Sequence, residues 1–240
     1  ILADPDQSIS ELMDQRYVSL NAYDDQETAV RVFKDHDRVA LPVTDSDGVL
    51  LGIVTFDDIM DVEEEEATED FHKFGAFQNA ILNPLKAKAT LMYQKRILWL
   101  TILVFMNIFA GAAISHFENV IQSMVSLMFF LPFLIGSGGN AGSQSATLMI
   151  RSLATGDVEA SDWFKLLGKE FLVSFLLGIT MAAGVALIAG FKSPEIIFVV
   201  ASTMVITVMA GSLIGLTIPF IFTKLKIDPA TASAPLITSL

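Results

Sequence analysis

The sequence predicts a two-part chain, a small acidic α/β module followed by an all-α polytopic membrane domain. Three observations carry that prediction. Charge is segregated: residues 1–96 hold 20 of the 27 acids and 9 of the 15 bases, while residues 97–240 hold 7 and 6. Long uncharged stretches fill the second part. A strand–turn–strand–helix pattern fills the first. The average composition decides little, since 52% hydrophobic residues lies near the usual range for globular domains.

The elements follow in order. Tyr23 to Lys34 places Ala29, Val30 and Phe33 at helical spacing behind Asp24 and Asp25 as acidic first-turn residues. Val39 to Val43 reads as a strand, Asp45-Ser46-Asp47-Gly48 as a turn, and Val49 to Val54 as a second strand. Thr55 is placed to cap a helix through Asp57, Asp58, Ile59 and Val62. A polar helical connector follows over Ala67 to Gln94, bent or interrupted at Pro84. The predicted domains are thus 1–65, a connecting helix over 66–96, and a membrane domain over 97–240.

Four uncharged stretches lie in that last domain: Ile97–Ser115, Asn119–Ile150, Phe171–Phe191 and Ile196–Thr223. About 20 apolar residues cross a hydrocarbon core, so each reads as a span, and a fifth begins near Pro229. Basic residues gather on one side: Lys86, Lys88, Lys95 and Arg96, then Arg151, Lys165 and Lys169, then Lys224 and Lys226. The opposite loops hold His116 with Glu118 and Lys192 with Glu195. That bias marks the N-terminal side as cytoplasmic in a multi-pass protein of the cell membrane. The start at Ile1 and the end at Leu240 inside an uncharged stretch read as a piece of a longer protein.

Several classes are disfavoured. There is no cysteine, hence no disulfide framework or thiolate metal site. A net charge of −12 without a basic stripe repels nucleic acid. His36, His72 and His116 are scattered, and no P-loop, HExxH or Ser–His–Asp set is present, so an enzyme is not expected.

Three features carry chemistry. Asp57, Asp58, Asp61, Glu63, Glu64, Glu65, Glu66, Glu69 and Asp70 form an acidic run without a base. Like charges at i,i+4 destabilise a helix by about 0.2–0.5 kcal/mol per pair, and a hard divalent cation is the natural neutraliser. A solvated acidic linker is the plainer reading. Second, Pro132 to Ser145 reads PFLIGSGGNAGSQS. Glycine weakens a helix by about 1 kcal/mol per residue, so this stretch predicts a broken helix. In lipid, that is tolerated beside a water-filled cavity. Close helix packing through small residues is the competing account. Third, Asp228 with Pro229 predicts an N-cap and first helical residue for the last span.

With these residues in view, the chain resembles the MgtE family of Mg²⁺ transporters along its whole length. LPVTDSDGVLLGIVTFDDIMDV (Leu41–Val62) is similar to the second half of a CBS pair, with its GIVT-x-x-D signature at Gly52 to Asp58. ATEDFHKFGA (Ala67–Ala76) is similar to the start of the family's plug helix. GSGGNAGSQSATLMIRSLATGD (Gly136–Asp157) and DPATASAPLITSL (Asp228–Leu240) resemble its pore segment and last span.

The resemblance implies a homodimer with five transmembrane helices per subunit, the fifth truncated here, and a pore between subunits. It implies that Mg²⁺ is both transported and bound as a regulator. The sensor would include Asp57, Asp58, Asp61, Glu65, Glu66, Glu69 and Asp70, with Asp35 and Asp37 beside it. Gly136, Gly138, Gly139, Asn140, Ser143, Gln144, Ser145 and Ala234 would line the pore. The family's pore aspartate would fall just beyond Leu240, and some members carry Asn where Ser143 and Ala234 stand. ATP is a further candidate ligand of the CBS module. The competing function is an ion-coupled secondary transporter for another cation or solute, with a nucleotide-sensing CBS module.

Overall fold

The structure is a computed structural model, and it describes Ser8, Glu11, residues 17–75 and residues 85–239. Its contacts divide the chain between Ala67 and Thr68.

The first unit is a three-stranded sheet with helices. Strand β1 (Leu20–Asn21) runs parallel to β2 (Ala40–Thr44), and β2 pairs antiparallel with β3 (Leu50–Thr55). Helix α1 (Gln26–His36) joins β1 to β2. It starts later than its periodicity suggests, because the Asp25 carboxylate accepts from the backbone N–H of Glu27 at 3.1 Å and fixes the cap there. The β2–β3 turn is built by Asp45, whose Oδ1 accepts from the N–H groups of Asp47 and Val49, both at 2.9 Å. Gly48 completes it at φ 79°, which a Cβ would disfavour. Helix α2 (Phe56–Phe74) follows β3 without a loop. Leu20, Phe33, Leu41 and Ile59 form the buried centre of this unit.

Among the described residues of the second unit, every regular element is helical, the main ones being α3 (Ala89–His116), α4 (Glu118–Ser123), α5 (Ser126–Ala154), α6 (Trp163–Lys192), α7 (Ile197–Lys224) and α8 (Ala234–Ser239). Helix α7 is central, with α5 and α6 packed on it. Phe130, Leu134 and Ala141 of α5 meet Val200, Met204 and Val208 of α7 and Ala182, Val185 and Ala189 of α6 in one core. Three helical segments, Ala89–His116, Ala160–Lys192 and Pro194–Lys224, are long and apolar enough to cross a membrane. Helix α5 is as long, at 29 residues, but its Gly, Ser, Asn and Gln lower its hydropathy. The predicted second stretch is split, since the chain breaks at Met124 and Val125 between α4 and α5. Pro84, where the connector was expected to bend, lies outside the described residues.

One expectation is corrected. The glycine-rich stretch does not break its helix: α5 runs without interruption from Ser126 to Ala154, with Pro132 inside it. The physical reason lies on α7. A Cβ at Gly211 would stand 2.2 Å from the Gly138 carbonyl oxygen, and one at Gly215 would stand 2.1 Å from that of Gly142. Two glycine pairs spaced four residues apart therefore let the backbones touch. That close packing offsets the poor helix propensity of the glycines.

Candidate functional site

Helix α2 sorts the acids by face. Its period of 3.6 residues turns Glu63 and Glu66 toward α1, where Lys34 Nζ lies 2.6 Å from the Glu63 carboxylate and the Gln26 amide donates to Glu66. Asp57, Asp58, Asp61 and Glu65 are exposed on the helix. Asp61, Glu64 and Glu65 have no pairing partner among the described residues. Thr55, expected as a cap, ends β3 and donates its hydroxyl to Asp58 at 2.9 Å. That hydroxyl, with the first-turn N–H groups, also holds the Asp57 carboxyl below the usual carboxylate range. Asp35 sits on α1, and Asp37 takes a left-handed conformation at its C-terminus, φ 47°. Glu69 and Asp70 are half-buried one to two turns before the end of α2. The donors are hard oxygens suited to Mg²⁺. Among the described residues, no group of three acids or histidines is gathered closely enough to hold a metal ion.

The predicted pore residues divide into two sets. Gly136, Asn140 and Gln144 are exposed and follow each other at i,i+4 along α5. Gly138 and Ser145 are buried, while Gly139, Ser143 and Ala234 are half-buried. Gly138 lies against Thr207 of α7, and a Cβ on Gly139 would meet Thr238 of α8 at 3.3 Å. The hydroxyls of Ser143 and Ser145 are buried without a hydrogen-bond partner among the described residues. One face of α5 thus packs the bundle, and another carries a glycine and two amides outward from it.

Two contacts were not anticipated. Glu170 of α6 accepts a hydrogen bond from the buried Ser212 of α7, next to Gly211. Lys73, in the last turn of α2, reaches Glu69 at 2.7 Å and Asp228 at 2.5 Å. Asp228 also accepts from the Ala230 N–H at 2.8 Å, capping a 3₁₀ turn over Pro229–Thr231 in place of the predicted long helix. Burial pulls the Lys73 ammonium down, but hydrogen bonds and charge from Asp228 and Glu69 outweigh it and hold it above the usual lysine range.

Residues 131–240 match the family model MgtE, described as a divalent cation transporter, and residues 9–65 match the CBS domain. The chain is 39% identical to "Magnesium transporter MgtE" of Thermus thermophilus over 241 residues, which is 100% of this chain and 54% of that protein. It is 38% identical to the protein of the same name from Bacillus subtilis, over 100% of this chain and 53% of that one. The corresponding Enterococcus faecalis protein is 34% identical, again over 100% and 53%. The resemblance to the MgtE family spans the whole chain.

The MgtE match covers α5, α6, α7 and α8, so it includes both the exposed amides and the glycine crossing. The CBS match covers the sheet and the first part of α2. The chain spans about half the length of the curated MgtE relatives it matches. A solved structure titled "Crystal structure of the soluble part of a magnesium transporter" is 45% identical over 28% of this chain and 26% of that one, at a TM-score of 0.27.

Proposed function

We propose that the protein to which this chain belongs conducts Mg²⁺ across the cell membrane, and that cytosolic Mg²⁺ bound at the α2 carboxylates shuts it. The observation that carries the reading is the exposed Gly136–Asn140–Gln144 face of α5. Amide groups facing lipid would be costly, so polar groups at membrane depth turn toward protein or a water-filled cavity. A second copy of the chain, applied to that face, would enclose a path lined by amide oxygens and a bare glycine backbone. Mg²⁺ dehydrates reluctantly and usually keeps several waters, and amides can hold such a hydrated ion through its shell. The names of the three relatives support Mg²⁺ as the cargo.

Regulation would follow from the acids of α2 and of the end of α1. At high internal Mg²⁺, ions neutralise Asp57, Asp58, Asp61, Glu65, Glu66, Glu69 and Asp70, with Asp35 and Asp37 and groups from another module or copy completing the shells. When Mg²⁺ falls, like charges repel and the closed arrangement gives way. This is a two-state element biased by a ligand. The bias of basic residues supports a cytoplasmic position for the α2 side.

The test is Mg²⁺ flux into liposomes carrying the full-length protein. Flux far above carrier turnover, without a Na⁺ or H⁺ gradient, is expected. Obligatory coupling to either gradient would overturn the channel reading in favour of a carrier.

A further inference from the structure

A lysine stands among the acids at one end of α2. Lys73 Nζ lies 2.7 Å from Glu69 on its own helix and 2.5 Å from Asp228 in the segment before α8. One cation therefore bridges two carboxylates from different elements. The oxygens of Asp228 are divided: Oδ1 caps the 3₁₀ turn through Ala230, and Oδ2 takes the ammonium. The next residue, Phe74, packs on a cluster of Ala146 and Ile150 from α5, Ala230 and Ala232 from that turn, and Ile237 from α8. Ala146 stands two residues beyond Gln144 of the exposed α5 face.

We propose that Lys73 is a built-in cationic latch, holding the end of α2 against α5 and α8 and setting how much Mg²⁺ the closed state requires. The inference rests on the regulatory reading above and deepens it. Mg²⁺ bound along α2 removes repulsion, whereas Lys73 supplies attraction that needs no bound metal. Side chains about a third exposed leave the pair open to salt. The apolar seat of Phe74 is not salt-sensitive, so the latch loosens in high salt without losing its register. The docked end of α2 would then be favoured even at low Mg²⁺, and the metal would have less to supply.

Nitroxide labels at the exposed positions Phe71→Cys and Leu225→Cys, on the cysteine-free background of these residues, report the docked distance in full-length protein. Lys73→Met keeps most of the stem but removes the charge. Asp228→Asn keeps the capping oxygen but removes the charge. Each is expected to raise the Mg²⁺ concentration for half-docking about three- to tenfold, in line with a partly exposed ion pair. The double variant should shift it no further, and Lys73→Arg should restore docking. A wild-type midpoint in Lys73→Met, or additive shifts in the double variant, would overturn the latch. Mg²⁺-independence of the wild-type distance would contradict the sensor reading instead, and the same variants in Mg²⁺-free buffer would still decide the latch.

Discussion

At the scale of single residues, the chemistry turns on where a charge finds its partner. Glu63 and Glu66 meet a lysine and an amide of α1, while Asp61, Glu64 and Glu65 meet none among the described residues. That difference was legible in the helical period but not in the acidic run read as a string. The Lys73–Asp228 pair was not legible at all, since 155 positions separate the partners and nothing local in either segment points to the other. The raised Lys73 value fixes the sign of its pH dependence. Its contribution is complete below the ordinary lysine pKa of about 10.4 and is lost only as pH rises through the higher folded value. The docked nitroxide distance should therefore be unchanged between about pH 6 and pH 9 and lengthen only in strong alkali. Asp57 runs the other way, with a lowered carboxyl whose contribution is present above about pH 4 and lost as pH falls. Thr55→Val should move its titration upward, read by ¹³C labelling of the aspartates.

At the scale of elements, the turn between β2 and β3 was readable because Asp45 and Gly48 carry its geometry within four residues. The continuity of α5 was not, because its cause is another helix. Propensity alone counts four glycines against a helix, and only the position of Gly211 and Gly215 on α7 turns two of them into contacts. Gly211→Ala and Gly215→Ala should each cost about 1–3 kcal/mol as overpacking, seen as lower thermal stability in detergent. Gly136→Ala should leave stability unchanged or raise it by up to about 1 kcal/mol, because a Cβ there meets nothing within 4 Å. Helix α3 offers a contrast, with Leu103 its one buried residue among those described. Apolar character all round made it readable as a span without saying what it packs against.

At the scale of the whole molecule, the segregation of charge foretold an α/β module followed by helices, but charge thins only after residue 96, whereas the contacts divide the chain between Ala67 and Thr68. The limits of that reading are physical. Hydropathy leaves α5 out of the helices apolar enough to span because it averages over the helix, whereas the amides are concentrated on one exposed face. Removing acids at 58 and 65 together should abolish closure at millimolar Mg²⁺ while leaving conduction at low Mg²⁺ intact, checked by Mg²⁺ flux. Unaltered closure in Asp58→Ala with Glu65→Ala would remove these residues from the sensor.

Everything proposed for conduction depends on the outward face of α5 lining the cation path. The most direct measurement is cysteine accessibility, scanning residues 136–148 one at a time in full-length protein whose other cysteines have been replaced. Asn140→Cys and Gln144→Cys are expected to react with a charged, water-soluble thiol reagent, millimolar Mg²⁺ to slow the reaction, and Ser145→Cys not to react. Protection confined to the buried face, or equal silence at positions 140 and 144, would contradict it.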